Sequence, residues 1–464
     1  AYARNIALGL GAVAQAGAAP VEGFSNPLWV LLLVPMEWSG LGSTAGAKAM
    51  QFGLSIATIW GLGRVVLRAG GSLVQAWTAS VALATSGAYV IWSAAGLEVA
   101  LFAFVLMLTF ALGQGGRAVW TGLAIGVCAW CRPEGMVPGL VAGCAGLWLA
   151  RSSRRDIAVA CGVALLPCAA LLGLRWTVFG EVLPNPYYAK VGHTGLGHLW
   201  RGVVYTLGAA MIVGLPFWIG AAGLTHRSTW RRPALAAGSV VTAGVLMSVL
   251  SGGDWMLHGR FVAPYVPFIM VACAPAAVSA MLAGSRLAVG ATLAAVACGV
   301  VTLIHASKNP TVPMDYGARM ARLYHAVSDE GCDGPTSVAA PDVGALLYLE
   351  PALQVVDLGN LVEWEAARHP VGTWWPAQLQ KRSPSMVQLH GPWAARTGLI
   401  DEVMTRLDYR ILCRRTPTNA ESGTVWLHRR CAAPGRGPAD DLVRRWCAHG
   451  VHAPWPGERG ALFR

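Results

Sequence analysis

Long apolar runs fill the first two-thirds of the chain and are missing from the last third. They lie at roughly 46–67, 73–94, 97–112, 118–131, 135–150, 157–178, 203–223, 233–250, 261–282 and 286–305, separated by short breaks bearing Arg, Gly or Pro. A spanning helix needs about 20 mainly apolar residues, so the pattern predicts about ten spans in a helical membrane domain over 46–305. The apolar run Pro27–Met36 stops at Glu37. It is too short to cross the roughly 30 Å of hydrocarbon, which predicts an outer loop with a re-entrant or interfacial hairpin over 1–45. From Ala306 onward charges and prolines return, and 306–464 reads as a separate water-soluble domain. Within it, Ser337–Leu346 opens as a short strand that turns into a helix start. Further strands are predicted at 354–358, 386–389 and 424–428, giving a small α/β domain.

Composition narrows the picture. Of 464 residues 55% are hydrophobic and 12% charged, with a mean hydropathy of +0.50, which excludes an ordinary soluble globule. The net charge of +12 does not signal nucleic acid, because the basic residues sit in short loops between apolar runs. One alternate set of loops holds Arg64, Arg68, Arg117, Arg151, Arg154, Arg155, Arg227, Arg231, Arg232 and Arg286 and is predicted cytoplasmic. The other set is sparse and mixed: Glu98, Arg132, Glu134, Glu181, Lys190, Asp254 and Arg260. That places these loops, the first 26 residues and the C-terminal domain outside a plasma (inner) membrane. The chain opens at Ala1 without the marks of a signal peptide, and the expectation is that one more helix precedes it. Seven cysteines lie in apolar runs. Cys332, Cys413, Cys431 and Cys447 lie in the polar part, where an exported domain would let them form disulfides in any of three pairings. There is no fixed-period repeat.

Ionisable residues at membrane depth are costly and mark functional sites. Here they gather in the outer loops, which read Tyr2-Ala-Arg-Asn5, Val21-Glu-Gly-Phe-Ser-Asn-Pro-Leu-Trp29, Gly96-Leu-Glu98, Arg132-Pro-Glu-Gly135, Leu183-Pro-Asn-Pro-Tyr-Tyr-Ala-Lys190 and Gly252-Gly-Asp-Trp-Met256 with a following Arg260. In this order the segments resemble the GT-C superfamily of membrane glycosyltransferases. The His258-Gly-Arg260 ending and the long C-terminal domain are similar to the terminal β-(1→2) arabinofuranosyltransferases of actinobacterial cell walls. The resemblance implies transfer of a sugar, arabinofuranose first, from a polyprenyl-phosphate donor to a cell-wall glycan such as arabinogalactan.

For the proposed chemistry, a departing lipid phosphate needs nearby cations, and Arg4, Lys190, His258 and Arg260 are the candidates. Asp254, and Glu22 with Ser25 and Asn26, are candidates for sugar hydroxyls; Glu98, Arg132, Glu134 and Tyr187 complete the donor- and acceptor-binding set. The family's base is an acidic residue just before the YARN-like stretch, which falls outside this chain, so no catalytic base is assigned. Each candidate also has a plain structural reading: Asp254 as a helix cap, Arg260 snorkelling, Arg132 with Glu134 as a local ion pair, Glu98 on a helix dipole. Trp364, Trp374, Trp375 and Trp393 can stack on sugars or fill a core, and the pairs Arg429–Arg430 and Arg444–Arg445 can contact anionic lipid or cell-wall polymer or form a solvated face. No His/Cys spacing of the zinc type is present, and metal dependence stays open. Mannosyl or other transfer onto an exported protein or glycan is the alternative within the enzyme class. A non-catalytic lipid-linked-sugar carrier, flippase or glycan-binding protein is the alternative outside it.

Overall fold

The computed structural model describes residues 1–191, 196–223, 230–254, 256–308, 337–369, 372–390, 393–415 and 423–431, with positions 318, 320–325, 332, 443, 444 and 447. The chain divides into two compact units. A helical unit comprises Ser25–Thr177 and Thr194–Thr311, and a second unit joins Ala1–Phe24, Val178–His193 and Val312–Arg464.

In chain order the first helix is α1 (Tyr2–Ala7), which belongs to the second unit. There follow α2 (Pro27–Trp38), α3 (Gly42–Arg68), α4 (Leu73–Ala84), α5 (Gly87–Ala94), α6 (Val99–Gln114), α7 (Ala118–Cys131), α8 (Met136–Leu149) and α9 (Arg154–Phe179). Next come α10 (Asn185–Val191), again in the second unit, then α11 (Leu196–Ile212), α12 (Leu215–Gly223), α13 (Arg231–Leu250), α14 (Val266–Leu282) and α15 (Arg286–Lys308). Local chemistry sets the ends. Ser72 and Gln75 form a reciprocal capping box at α4, and Ser153 with Asp156 does the same ahead of α9.

Among the described residues, five helices are long and apolar enough to cross a membrane, or up to seven if each bent pair is one span. The outward side chains fit that solvent: Phe52, Trp60, Leu165, Leu166, Trp176, Leu287 and Val301 are all exposed, an apolar coat that water would not tolerate and lipid does. Small residues carry the internal contacts. A Cβ on Gly122 would meet the Ala160 carbonyl at 2.5 Å, and one on Gly126 the Ala164 carbonyl at 2.6 Å, so α7 and α9 approach backbone to backbone. The protein is a polytopic helical membrane protein.

Three expectations change in detail. The run Pro27–Met36 is one helix containing Pro35, not a hairpin. The run 73–94 breaks at Thr85–Ser86 into α4 and α5, and α5 meets α6 at 115°. The run 203–223 breaks into α11 and α12, bent by 62°, where Gly214 takes a positive φ.

The second unit is built on a five-stranded sheet with order β2-β1-β3-β5-β4, made of β1 (Ser337–Ala340), β2 (Gln354–Asp357), β3 (Met386–His390), β4 (Tyr409–Arg415) and β5 (Gly423–His428). β1 runs parallel to β2 and β3, while β5 is antiparallel to both β3 and β4. Alternation splits the strands between two cores. Val338, Ala340, Val355, Met386, Val425 and Leu427 face one; Ala339, Val356, Val387, Leu389 and Trp426 face the other. Helices α16 (Gly344–Leu349), α17 (Trp375–Arg382), α18 (Trp393–Thr397) and α19 (Asp401–Arg406) connect the strands. β4 was not foreseen. Disulfides join Cys332 to Cys431 and Cys413 to Cys447.

The unit also takes in chain that sequence reading assigned elsewhere. Gln15 bonds both the amide and the carbonyl of Val355, closing the open edge of β2. The Asn185 amide donates to the carbonyls of Asn360 and Leu361 at 2.9 and 3.0 Å. Residues 1–24 and 178–193 are thus parts of this domain, where the pattern had suggested 1–45 and 306–464 as separate pieces.

Candidate functional site

The helical unit buries a charged network at the sharp bend between α5 and α6. Glu98 stands at the start of α6 and is 3% exposed. The bend is fixed from two helices: the Gln51 carboxamide in α3 bonds Gly96 and Leu97, and the Trp29 indole in α2 donates to the Gly96 carbonyl. Glu98 accepts from the Arg260 guanidinium at 3.0 and 3.2 Å and from the Asn26 amide at 3.0 Å, with Arg132 at 3.9 Å.

Arg260 reaches it from the turn after α13, where Gly252 and Gly253 both take positive φ, a conformation open to glycine at little cost. The same arginine contacts Asp254 at 3.4 Å. Arg132 follows the end of α7, with Pro133 stopping the helix. It pairs with Glu134 at 2.9 Å and lies 4.5 Å from the centre of the Phe261 ring. Thus Asn26, Glu98, Arg132, Glu134, Asp254 and Arg260 form one network drawn from loops far apart in sequence.

Neighbouring candidates frame it. His258 is buried at a positive φ of 61°, its carbonyl accepts from the Trp92 indole, and its ring sits 5.2 Å from that of His305. A strained non-glycine residue beside a charged cluster is common at functional sites. Ser25 is half-buried one residue before Asn26, and Trp255 falls outside the described residues.

The remaining candidates lie in the second unit and serve different ends. Arg4 donates to the Leu347 and Tyr348 carbonyls, tying α1 to the C-terminal end of α16, where a cation complements the helix dipole. That commitment argues for a tether where a phosphate contact was expected. Glu22 is buried and lines a small cleft with Val21, Phe179, Glu181, Asn185, Trp364 and Arg368. Arg368 is its organiser: it pairs with Glu181 at 2.9 Å and lies between the rings of Tyr188 and Trp364 at 4.0 and 4.1 Å. Tyr187 packs edge-on to Tyr188, and Lys190 is exposed on α10.

Among the described residues no group of three or more His, Cys, Asp and Glu is placed to hold a metal. No protein-family model, no curated protein and no solved structure matches the chain. What the arrangement can do must therefore come from its own chemistry. In the helical unit it presents two guanidiniums, three carboxylates and an amide, a set suited to sugar hydroxyls and one phosphate. Sequence reasoning missed Gln51, Trp92 and Phe261, which position this set, and Arg368, whose partner Glu181 lies 187 positions away; none of these stands in a recognisable motif.

Proposed function

We propose that the protein is a membrane glycosyltransferase moving a sugar, arabinofuranose first, from a polyprenyl-phosphate donor to a glycan acceptor on the outer face of the plasma membrane. One observation carries the reading: the motif residues Asn26, Glu98, Arg132, Glu134, Asp254 and Arg260 converge in one buried network of a lipid-exposed helical unit. In the transfer, the acceptor oxygen loses its proton to a base and bonds to the anomeric carbon as the carbon–oxygen bond to phosphate breaks. The electron pair departs with the lipid phosphate. Arg260 is suited to meet that charge, since its Nε has no hydrogen-bond partner among the described residues. No carboxylate here is assigned as base, because Glu98, Asp254 and Glu134 each answer an arginine.

Compartment and topology support the outward reading. Both disulfides lie in the second unit, whereas the free cysteines all belong to the helical unit, a partition expected when the former faces an oxidising space. The second unit draws on the start, middle and end of the chain, so pieces of it that share one compartment are separated by an even number of crossings. A second reading, a lipid-linked-sugar carrier or glycan-binding protein, is favoured by the engagement of every network carboxylate.

The test is transfer of radiolabelled arabinose from synthetic polyprenyl-phosphate arabinose to an arabinan oligosaccharide by membranes holding the gene's full product, beside Glu98→Gln and Arg260→Ala. Transfer that collapses in both variants supports the enzyme. Transfer that survives in both removes the network from the chemistry. No transfer by folded protein with arabinosyl or mannosyl donors leaves the carrier reading.

A further inference from the structure

The sheet of the second unit has a reversal in strand order that the transfer reading does not use. β1 sits between β2 and β3 and is parallel to both. The chain leaves β1 toward one neighbour and later returns to the other, so the carboxyl ends of β1 and β3 form a topological switch point, where open α/β sheets bind ligands. At that edge β3 ends in His390, and β1 runs through Pro341 into Asp342. Their side chains meet at 2.9 Å and remain 22% and 39% exposed.

Gln388 lies one rung inside. It projects from the same strand face as His390, and the register Val338↔Met386 and Ala339↔Val387 sets it beside Ala340. It is 0% exposed, and neither its amide nitrogen nor its oxygen has a partner among the described residues. Burying a primary amide with nothing to bond is a direct cost to the fold, and a leucine, as at the next position, would avoid it. The cost is relieved if an incoming ligand supplies a group that both donates and accepts.

We propose that this site binds a neutral saccharide, with Asp342, His390 and Gln388 holding its hydroxyls. A hydroxyl can donate to the carboxylate and exchange hydrogen bonds with the amide. Asp342 opposes an anionic ligand.

The choice of an arabinofuranose oligosaccharide as probe rests on the transfer reading; the site does not. Binding is measured by titration calorimetry on the full chain in lipid nanodiscs, with inorganic phosphate as the anionic competitor. Gln388→Leu is expected to weaken binding at least tenfold while raising Tm, and Asp342→Asn to weaken it about tenfold with Tm unchanged. Wild-type affinity in either variant, displacement by phosphate, or no saccharide binding by the wild-type chain overturns the proposal. Should Gln388→Leu fail to fold, Asp342→Asn carries the test. Binding lost in these variants by a protein that transfers no sugar keeps the site and sinks the enzyme. Transfer with an unchanged KM for the oligosaccharide in Gln388→Leu sinks the site and keeps the enzyme.

Discussion

Glu98 in the helical unit and Asp357 in the α/β unit are both buried carboxylates, at 3% and 0% exposure, and they are satisfied in opposite ways. Glu98 is held by side chains that reach it from distant segments, two of them guanidiniums. Asp357 is held by its own loop, accepting from the amides of Gly359, Leu361 and Val362 at 2.8, 2.7 and 2.9 Å. The first arrangement assembles charge that a reaction or a ligand can use. The second folds a turn after β2 and presents nothing outward. Burial alone therefore does not mark a functional acid; the origin of its partners does.

The largest effect expected on this contrast comes from Glu98→Ala. It strands Arg260 and Arg132 in a dry setting, and losing one partner of a buried ion pair costs about 3–5 kcal/mol; thermal unfolding of the purified protein should register a strongly lowered Tm, with Glu98→Gln far milder. A wild-type melting curve for the alanine variant would mean that water already compensates those arginines.

Next is the pH response of Asp357. Burial pushes its carboxyl up to about 7, against the pull of the three amides. Between its ordinary value of about 4 and about 7 the folded protein keeps a proton that the unfolded chain has released. Stability supplied below that window is thus lost as pH rises through it, by roughly 1.4 kcal/mol per pH step of one across the window. Denaturation of the α/β unit, followed between pH 4 and 8, should show the decline in wild type and lose it in Asp357→Asn; a wild-type profile flat across the window would reverse the assignment.

The smallest effect belongs to the pair Glu181–Arg368, whose side chains are 27% and 23% exposed. Arg368→Ala should cost only about 1–2 kcal/mol, mostly through lost packing against Tyr188 and Trp364, and the ionic part should shrink with added salt. Stability loss as large as that of Glu98→Ala would erase the distinction between the two settings.

Much of this was legible in the sequence, for definite reasons. Lipid demands long apolar runs, so the helical segments announce themselves, although the breaks at Thr85–Ser86 and Gly214 do not, because polar or glycine residues inside an apolar run look like packing positions. Strands β1, β2, β3 and β5 stand out as short apolar stretches between turn residues. β4 reads Tyr-Arg-Ile-Leu-Cys-Arg-Arg and hides because an edge strand carries charge on purpose. The network residues were visible one by one, but not the bonds among them: Glu98 and Arg260 are 162 positions apart, and nothing local encodes that meeting. Arg4 misled for the same reason, since the carbonyls that claim it lie 343 and 344 positions on.

The bond between Gln15 and Val355 has a consequence for biogenesis. The ribosome releases residue 15 long before residue 355 exists, 340 positions later, and every helix of the membrane unit must be threaded in between. During that interval the opening segment has no seat, and β2 arrives with its edge bare. Completion of the sheet therefore reports that all intervening insertions succeeded. A topology error anywhere upstream would strand the two halves of that bond on opposite faces of the bilayer, exposing an unpaired strand edge to the quality-control machinery.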